Sequence, residues 1–168
     1  MPISYVSGDP LLTRAQSLAF GHNAKGRTEM GALETLLLNR YPAAFATYGK
    51  NCRSGRIKAG ALWTWRESRP NLTFLVIRET AVGATRLRFV ESAIMTLARD
   101  YRQYNLTSLA IAPLANPLEW KAIRPVIDYW LRVCPLPVTV YEGYVPGVAG
   151  ETSFTPSPTP LPVNEEGE

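Results

Sequence analysis

The residues best suited to chemistry crowd into one stretch, Gly21-His22-Asn23-Ala24-Lys25-Gly26-Arg27-Thr28-Glu29-Met30-Gly31. Gly26 and Gly31 would let the backbone come close to a ligand. The Asn23 amide both donates and accepts, as a ribose diol requires. Lys25 and Arg27 can meet phosphate. An apolar run, Leu18-Ala19-Phe20, precedes the stretch, and a run with helical spacing follows it. A helix N-terminus offers unpaired N–H groups and a positive dipole end, so such a loop can hold an anion. The stretch fits neither GxGxxG nor GxxxxGK[ST], which argues against a Rossmann cofactor or a Walker nucleotidase. Glycine and asparagine are also ordinary turn formers, and composition alone favours that plainer reading.

Other polar residues carry less. Asp9 follows a short strand-like run and could accept from the exocyclic amine of a base. It could equally close an Asx turn or cap a helix. His22 is the single histidine. It has no second histidine with which to share a metal, and loop packing is a plainer role for it than general base. Cys52 and Cys134 are far apart with no CxxC, so neither a disulfide framework nor zinc is expected, and both read as structural. Glu79 and Glu91 lack a visible partner. Arg86, Arg88, Arg99 and Arg102 lie mostly off an apolar stripe and read as a solvated face. Exposed aromatics of the kind an RNA surface uses, here Phe89 and Tyr104, are few.

The elements that must position these groups follow from periodicity. Ile3–Val6 alternates as a strand, stopped by Ser7-Gly8-Asp9-Pro10. Gln16–Phe20 reads as a second strand. Glu29–Asn39 has helical spacing with Thr28 as N-cap. Pro42 opens a further helix over Ala43–Cys52. Ala61–Trp65 reads as a strand with both tryptophans on one face, and Leu72–Ile77 as a central strand. Val90 to Tyr101 is a helical stripe, Leu109–Ile111 a buried strand, and Trp120 to Cys134 a second stripe. Pro125 must sit near that helix's start or kink it. Val138–Tyr141 is the last strand. The order β-β-α-α-β-β-α-β-α-β argues for a mixed central sheet with helices on both faces, an α/β class. Ligands in such sheets sit at strand carboxyl ends. The Gly21–Gly31 loop and Pro113-Leu114-Ala115-Asn116-Pro117 both lie there.

The chain has 168 residues, 46% of them apolar, enough for one domain with a sizeable core. No run is apolar enough for a membrane span, and the first residues lack a secretory pattern, so a cytoplasmic, membrane-free protein is expected. The first 144 residues hold all 18 lysines and arginines but only 10 of the 14 acids. So basic a body suits an anionic partner such as a nucleotide or nucleic acid, or else serves solubility. Residues 1–145 read as the domain. Residues 146–168, acidic and punctuated by proline, read as a disordered tail.

The ordered series of motifs resembles a macro domain. It comprises Ser7-Gly8-Asp9-Pro10-Leu11-Leu12, Leu18–Asn23 with Gly26 and Gly31, Arg40-Tyr41-Pro42, Leu109–Leu114, Leu118-Glu119-Trp120 with Ile123-Arg124-Pro125, and Val138–Tyr141. The likeness runs over residues 3–144 and is strongest to the subgroup with the DNA- and glutamate-ADP-ribosyl hydrolases. It implies a three-layer α/β/α sandwich and an ADP-ribose site; separately, no cofactor and no metal are expected. By that resemblance Asp9, with Pro10, takes the adenine amine, and Asn23, beside His22, contacts the distal ribose. Gly26, Arg27, Thr28 and Gly31 follow the pyrophosphate and distal ribose. Leu114, Ala115 and Asn116 form the second phosphate loop. Thr80 joins the ligand set, and Tyr141 or Tyr144 flanks the adenine. The implied partner is ADP-ribose or an ADP-ribosylated macromolecule, with hydrolysis as an attached activity. The alternative is a divergent macro fold that serves protein or nucleic-acid interaction. Two departures stand out. The second loop has no glycine, and the lysine that follows the 72–77 strand in the hydrolases is replaced by Arg78-Glu79-Thr80. No catalytic residue is assigned.

Overall fold

The computed structural model describes residues 3–151. Strands β1 (Ile3–Gly8), β2 (Ser17–Asn23), β3 (Leu62–Trp65), β4 (Asn71–Arg78), β5 (Leu109–Ile111) and β6 (Val138–Tyr144) form one sheet in the order β1-β6-β5-β2-β4-β3. Only β3 runs antiparallel to its neighbour; the other pairs are parallel. Helices α1 (Ala32–Arg40) and α2 (Pro42–Arg53) cover one face, and α3 (Leu87–Asp100) and α4 (Pro117–Leu131) cover the other. This is the expected mixed sheet between two helical layers.

Strand alternation builds both cores at once. On β4, Leu72, Phe74 and Val76 face the α1–α2 layer, and Leu75 and Ile77 face α3–α4. The α3 stripe of Val90, Ala93, Ile94 and Leu97 meets Ile123, Ile127 and Leu131 of α4. Both faces of β4 are therefore apolar, as a sheet covered twice requires.

The structure departs from the periodicity reading at several element ends, with β1 running on through Ser7 and Gly8 and β6 on to Tyr144. β2 continues through Gly21, His22 and Asn23, because β4 offers it partners up to Arg78. Helix α1 starts at Ala32, with Gly31 as its N-cap and no side-chain cap. Thr28 therefore does not cap it; the preceding loop is held inward by the Glu29 side chain, as described below. Pro125 lies in the middle of α4 without ending it. Its missing N–H falls on an exposed face, so the Lys121 carbonyl it would have served is at the solvent side.

Of the segment read as a tail, residues 146–151 run back along the end of β1. The Asp9 N–H donates to the Val148 carbonyl at 2.7 Å. Glu151 accepts from the Thr13 hydroxyl, the Arg14 N–H and the Tyr141 hydroxyl. Residues 152–168 lie outside the described residues. No helix among the described residues is long and apolar enough to cross a membrane.

Candidate functional site

A cleft of about 530 Å³ opens at the carboxyl ends of the parallel strands. Its walls include Gly21 and Glu29 on one side, Arg78 with Val82–Thr85 beneath, and Ala112–Asn116 opposite. Two helices, α1 and α4, begin on it, and the turn that leads into α3 forms part of its floor. Leu33 and Glu34 belong to the first turn of α1, Thr85 precedes the α3 N-cap Arg86, and Asn116 is the α4 N-cap. Each start carries the positive end of a dipole, though at α4 the first residue, Pro117, brings no N–H. Asn116 also spends its amide oxygen on the Glu119 N–H at 2.9 Å.

The cleft is not uniformly positive. Among the described residues Glu29, Glu34 and Glu119 line it, against one cation, Arg78. Arg78 donates to Glu29 at 3.1 Å and to the Thr85 hydroxyl at 2.9 Å. Its Nε is buried without a partner among the described residues. The pair is nearly sealed, with side-chain exposures of 13% and 8%. A partner of that kind offsets the cost of burying either charge alone.

Asn23 has a different geometry from that of a ligand contact. It is fully buried. Its amide nitrogen donates to the Arg27 carbonyl at 2.9 Å and to Glu29 at 2.7 Å. Its oxygen accepts from the N–H groups of Lys25 and Arg27. Asn23 thus ties the 24–29 loop together from inside. Gly26, at φ 69°, packs where a Cβ would stand 2.6 Å from the Gly49 Cα, so the loop is also pressed onto α2. Gly31, at φ 135°, has the Glu34 carboxylate folded over it, and a Cβ there would meet Glu34 Oε1.

His22 lies on the other side of this loop, in a second pocket of about 310 Å³ between β2, α1 and α2. Gly26, Arg27 and Thr28 line the same pocket. Its Nδ1 accepts the Asn23 N–H at 2.9 Å, which fixes the proton of the neutral ring on Nε2. Burial pushes its pKa down, against the opposing pull of Glu29. The ring is enclosed by Phe45, Tyr48 and Phe74.

The remaining expected ligand residues are scattered around these spaces. Leu114, Ala115 and Asn116 line the cleft. Asp9, Pro10, Gly31, Thr80, Tyr141 and Tyr144 line neither space. The Asp9 carboxylate accepts from the N–H groups of Leu11 and Gly147. Tyr141 is fully buried and donates to Glu151, so its ring has no free face to offer. Tyr144 is half-buried, and its hydroxyl has no partner among the described residues. Glu34, Arg78, Glu119 and the 82–85 turn were not foreseen as lining residues. Glu34 and Glu119 carried a usable signal, since each sits in the first turn of a helix that starts at a strand end. No group of three or more His, Cys, Asp and Glu side chains placed to hold a metal occurs among the described residues.

No family model matches the sequence. Two curated proteins do, each a DNA ADP-ribosyl glycohydrolase, one from Mycobacterium bovis (BCG) and one from Mycobacterium tuberculosis. Each is 25% identical over 129 residues, or 73% of this chain. The chain spans only 36% of the length of these relatives. Among solved structures, the macrodomain of Thermus aquaticus DarG aligns with TM-score 0.74 and 20% identity, over 86% of this chain and 98% of that one. Thermosipho africanus DarTG in complex with ADP-ribose aligns with TM-score 0.78 and 20% identity, over 84% of this chain and 41% of that one. The Mycobacterium tuberculosis DarG macrodomain gives 0.73 and 22%, over 86% and 98% of the two chains. The six-stranded mixed sheet, its two helical layers and these likenesses together show that this chain has a macrodomain fold, one that resembles the macrodomains of DarG.

Proposed function

We propose that this macrodomain binds ADP-ribose, with the diphosphate in the cleft between the 24–31 and 112–116 loops. The observation that carries this is the convergence of the α1 and α4 N-termini, with the turn before α3, on one cleft at the strand ends. Such an arrangement suits an anion that backbone N–H groups hold. The macrodomain fold supports it, as does the solved DarTG relative described in complex with ADP-ribose. In this reading Leu114, Ala115 and Asn116 meet one phosphate. The loop carrying Gly26, Arg27 and Thr28 bounds the distal ribose, with His22 behind it. Asp9, Pro10 and Tyr144 lie toward the adenine. Asn23 acts by holding the loop rather than by touching the ligand.

Binding is favoured over hydrolysis. The cation on the cleft is Arg78, a guanidinium already engaged by Glu29 and Thr85. It cannot serve as a base or nucleophile as a neutral amine could. Thermal melting tests the binding directly. Saturating ADP-ribose at 100 times its Kd should add about 2.7 kcal/mol of stability, whereas no shift at millimolar ligand removes the reading. Incubation with ADP-ribosylated DNA and protein should leave both intact; released ADP-ribose would establish hydrolysis instead.

A further inference from the structure

A second charged surface lies at the opposite end of the sheet. Residues Arg14, Arg40, Arg66 and Arg69 line an open groove of about 710 Å³, together with Tyr41 and Asn71. Asn71 is the first residue of β4, and Arg78, on the cleft, is the last. At ~3.3 Å per residue the groove and the cleft are about 25 Å apart. The four arginines come from separate places: the turn before β2, the end of α1, and the β3–β4 connection. The fold gathers them.

All four side chains are exposed, and none makes a hydrogen bond or ion pair among the described residues. Among the described residues no carboxylate lines the groove. Glu67 is next to Arg66 in sequence but is not part of the wall, and Glu151 is taken up by Thr13, Tyr141 and the Arg14 backbone. Glu151 still brings its charge to the Arg14 end of the groove, and Arg40, Arg66 and Arg69 have no carboxylate partner among the described residues, so an anion that joins them relieves their mutual repulsion. Guanidinium forks match phosphate oxygens in pairs. A half-buried tyrosine ring in the same wall adds a face on which a base can stack.

We infer that this groove docks the phosphate backbone of single-stranded nucleic acid, independently of the ADP-ribose cleft. The chemistry is sequence-tolerant: phosphates meet Arg14, Arg40, Arg66 and Arg69, and Tyr41 takes a base. The binding needs no ADP-ribosyl group, so it stands or falls apart from the reading of the cleft.

The test uses the full chain and a labelled dT12 oligonucleotide, followed by fluorescence anisotropy over a salt series. Four phosphate contacts on a single strand predict a log–log salt slope near −2.8, or about a 50-fold loss of affinity between 50 and 200 mM salt. The double variant Arg40→Gln/Arg66→Gln should halve the slope to about −1.4. Arg88→Gln/Arg102→Gln, on another face, should leave it unchanged. Circular dichroism and melting confirm that each variant folds. Absence of binding at 50 mM salt overturns the proposal. So does a wild-type slope in the Arg40/Arg66 variant, or a poly-glutamate peptide that binds as tightly as dT12.

Discussion

The Arg78 guanidinium reaches from the last residue of β4 to the Glu29 carboxylate in the loop before α1, at 3.1 Å and almost out of solvent. Glu29 in turn accepts from Asn23 at 2.7 Å. One carboxylate therefore ties the end of the central sheet to the loop that shapes both pockets.

Removing Glu29 should leave Arg78 buried and without its counter-charge. Glu29→Ala is expected to lose about 3–5 kcal/mol, the range for breaking a buried pair by deleting one partner. Glu29→Gln keeps an acceptor and should lose less. Urea unfolding measures both; equal midpoints for wild type and Glu29→Ala would show that the pair contributes nothing.

Asn23→Ala should destabilise the loop first and binding second. Its four hydrogen bonds hold buried or half-buried backbone, and a few kcal/mol is the expected loss. Hydrogen exchange should speed up at Lys25 and Arg27, whose N–H groups Asn23 accepts. Weaker ADP-ribose binding with unchanged protection there would place Asn23 on the ligand instead.

Glu34 and Glu119 put negative charge on a cleft proposed to hold a diphosphate. Glu34→Gln and Glu119→Gln should each tighten ADP-ribose binding, by about fivefold if the carboxylate lies ~8 Å from two phosphate charges in a water-like dielectric. Calorimetric titration reads this. Unchanged affinity in both would move the diphosphate away from these helix starts.

Stability should fall with acid through His22. Burial lowers its pKa in the fold below the ordinary 6.5, so the folded state resists protonation that the unfolded chain accepts. The contribution is fully present above about pH 6.5 and is lost as pH drops toward the folded value. Melting temperatures from pH 7.5 to 5.5 should decline, and less steeply in His22→Leu even if that variant starts lower. Parallel curves would exclude His22 as the titrating group.

Glu151→Ala should loosen the segment that runs back over β1. It removes the acceptor of the buried Tyr141 hydroxyl, held at 2.6 Å, at a cost of about 1–3 kcal/mol. Faster exchange of the Asp9 and Gly147 amides should accompany it, since Asp9 accepts from Gly147. Unaltered exchange would mean the segment is held by its backbone bonds alone.

Much of this was legible in the chain itself. Leu72–Ile77 and the 90–101 stripe declare a strand covered twice and a helix with one buried face, because apolar periodicity is a local property. The ordered motifs from Gly8-Asp9 to Val138–Tyr141 carried the macrodomain likeness, and position at strand ends located the two loops. What the chain could not declare depends on which distant residues meet. Asn23 looks like a ligand contact until Glu29 and Arg27 are seen to take its amide. Gly21 to Asn23 look like loop until β4 supplies their partners. Thr28 looks like a cap until the inward pull of Arg78 on Glu29 delays the helix to Ala32. Composition showed a basic body, but only the fold brings Arg14, Arg40, Arg66 and Arg69 to one groove. Periodicity fixes which side of an element is buried; pairing across the sheet fixes what each polar group has left to offer a ligand.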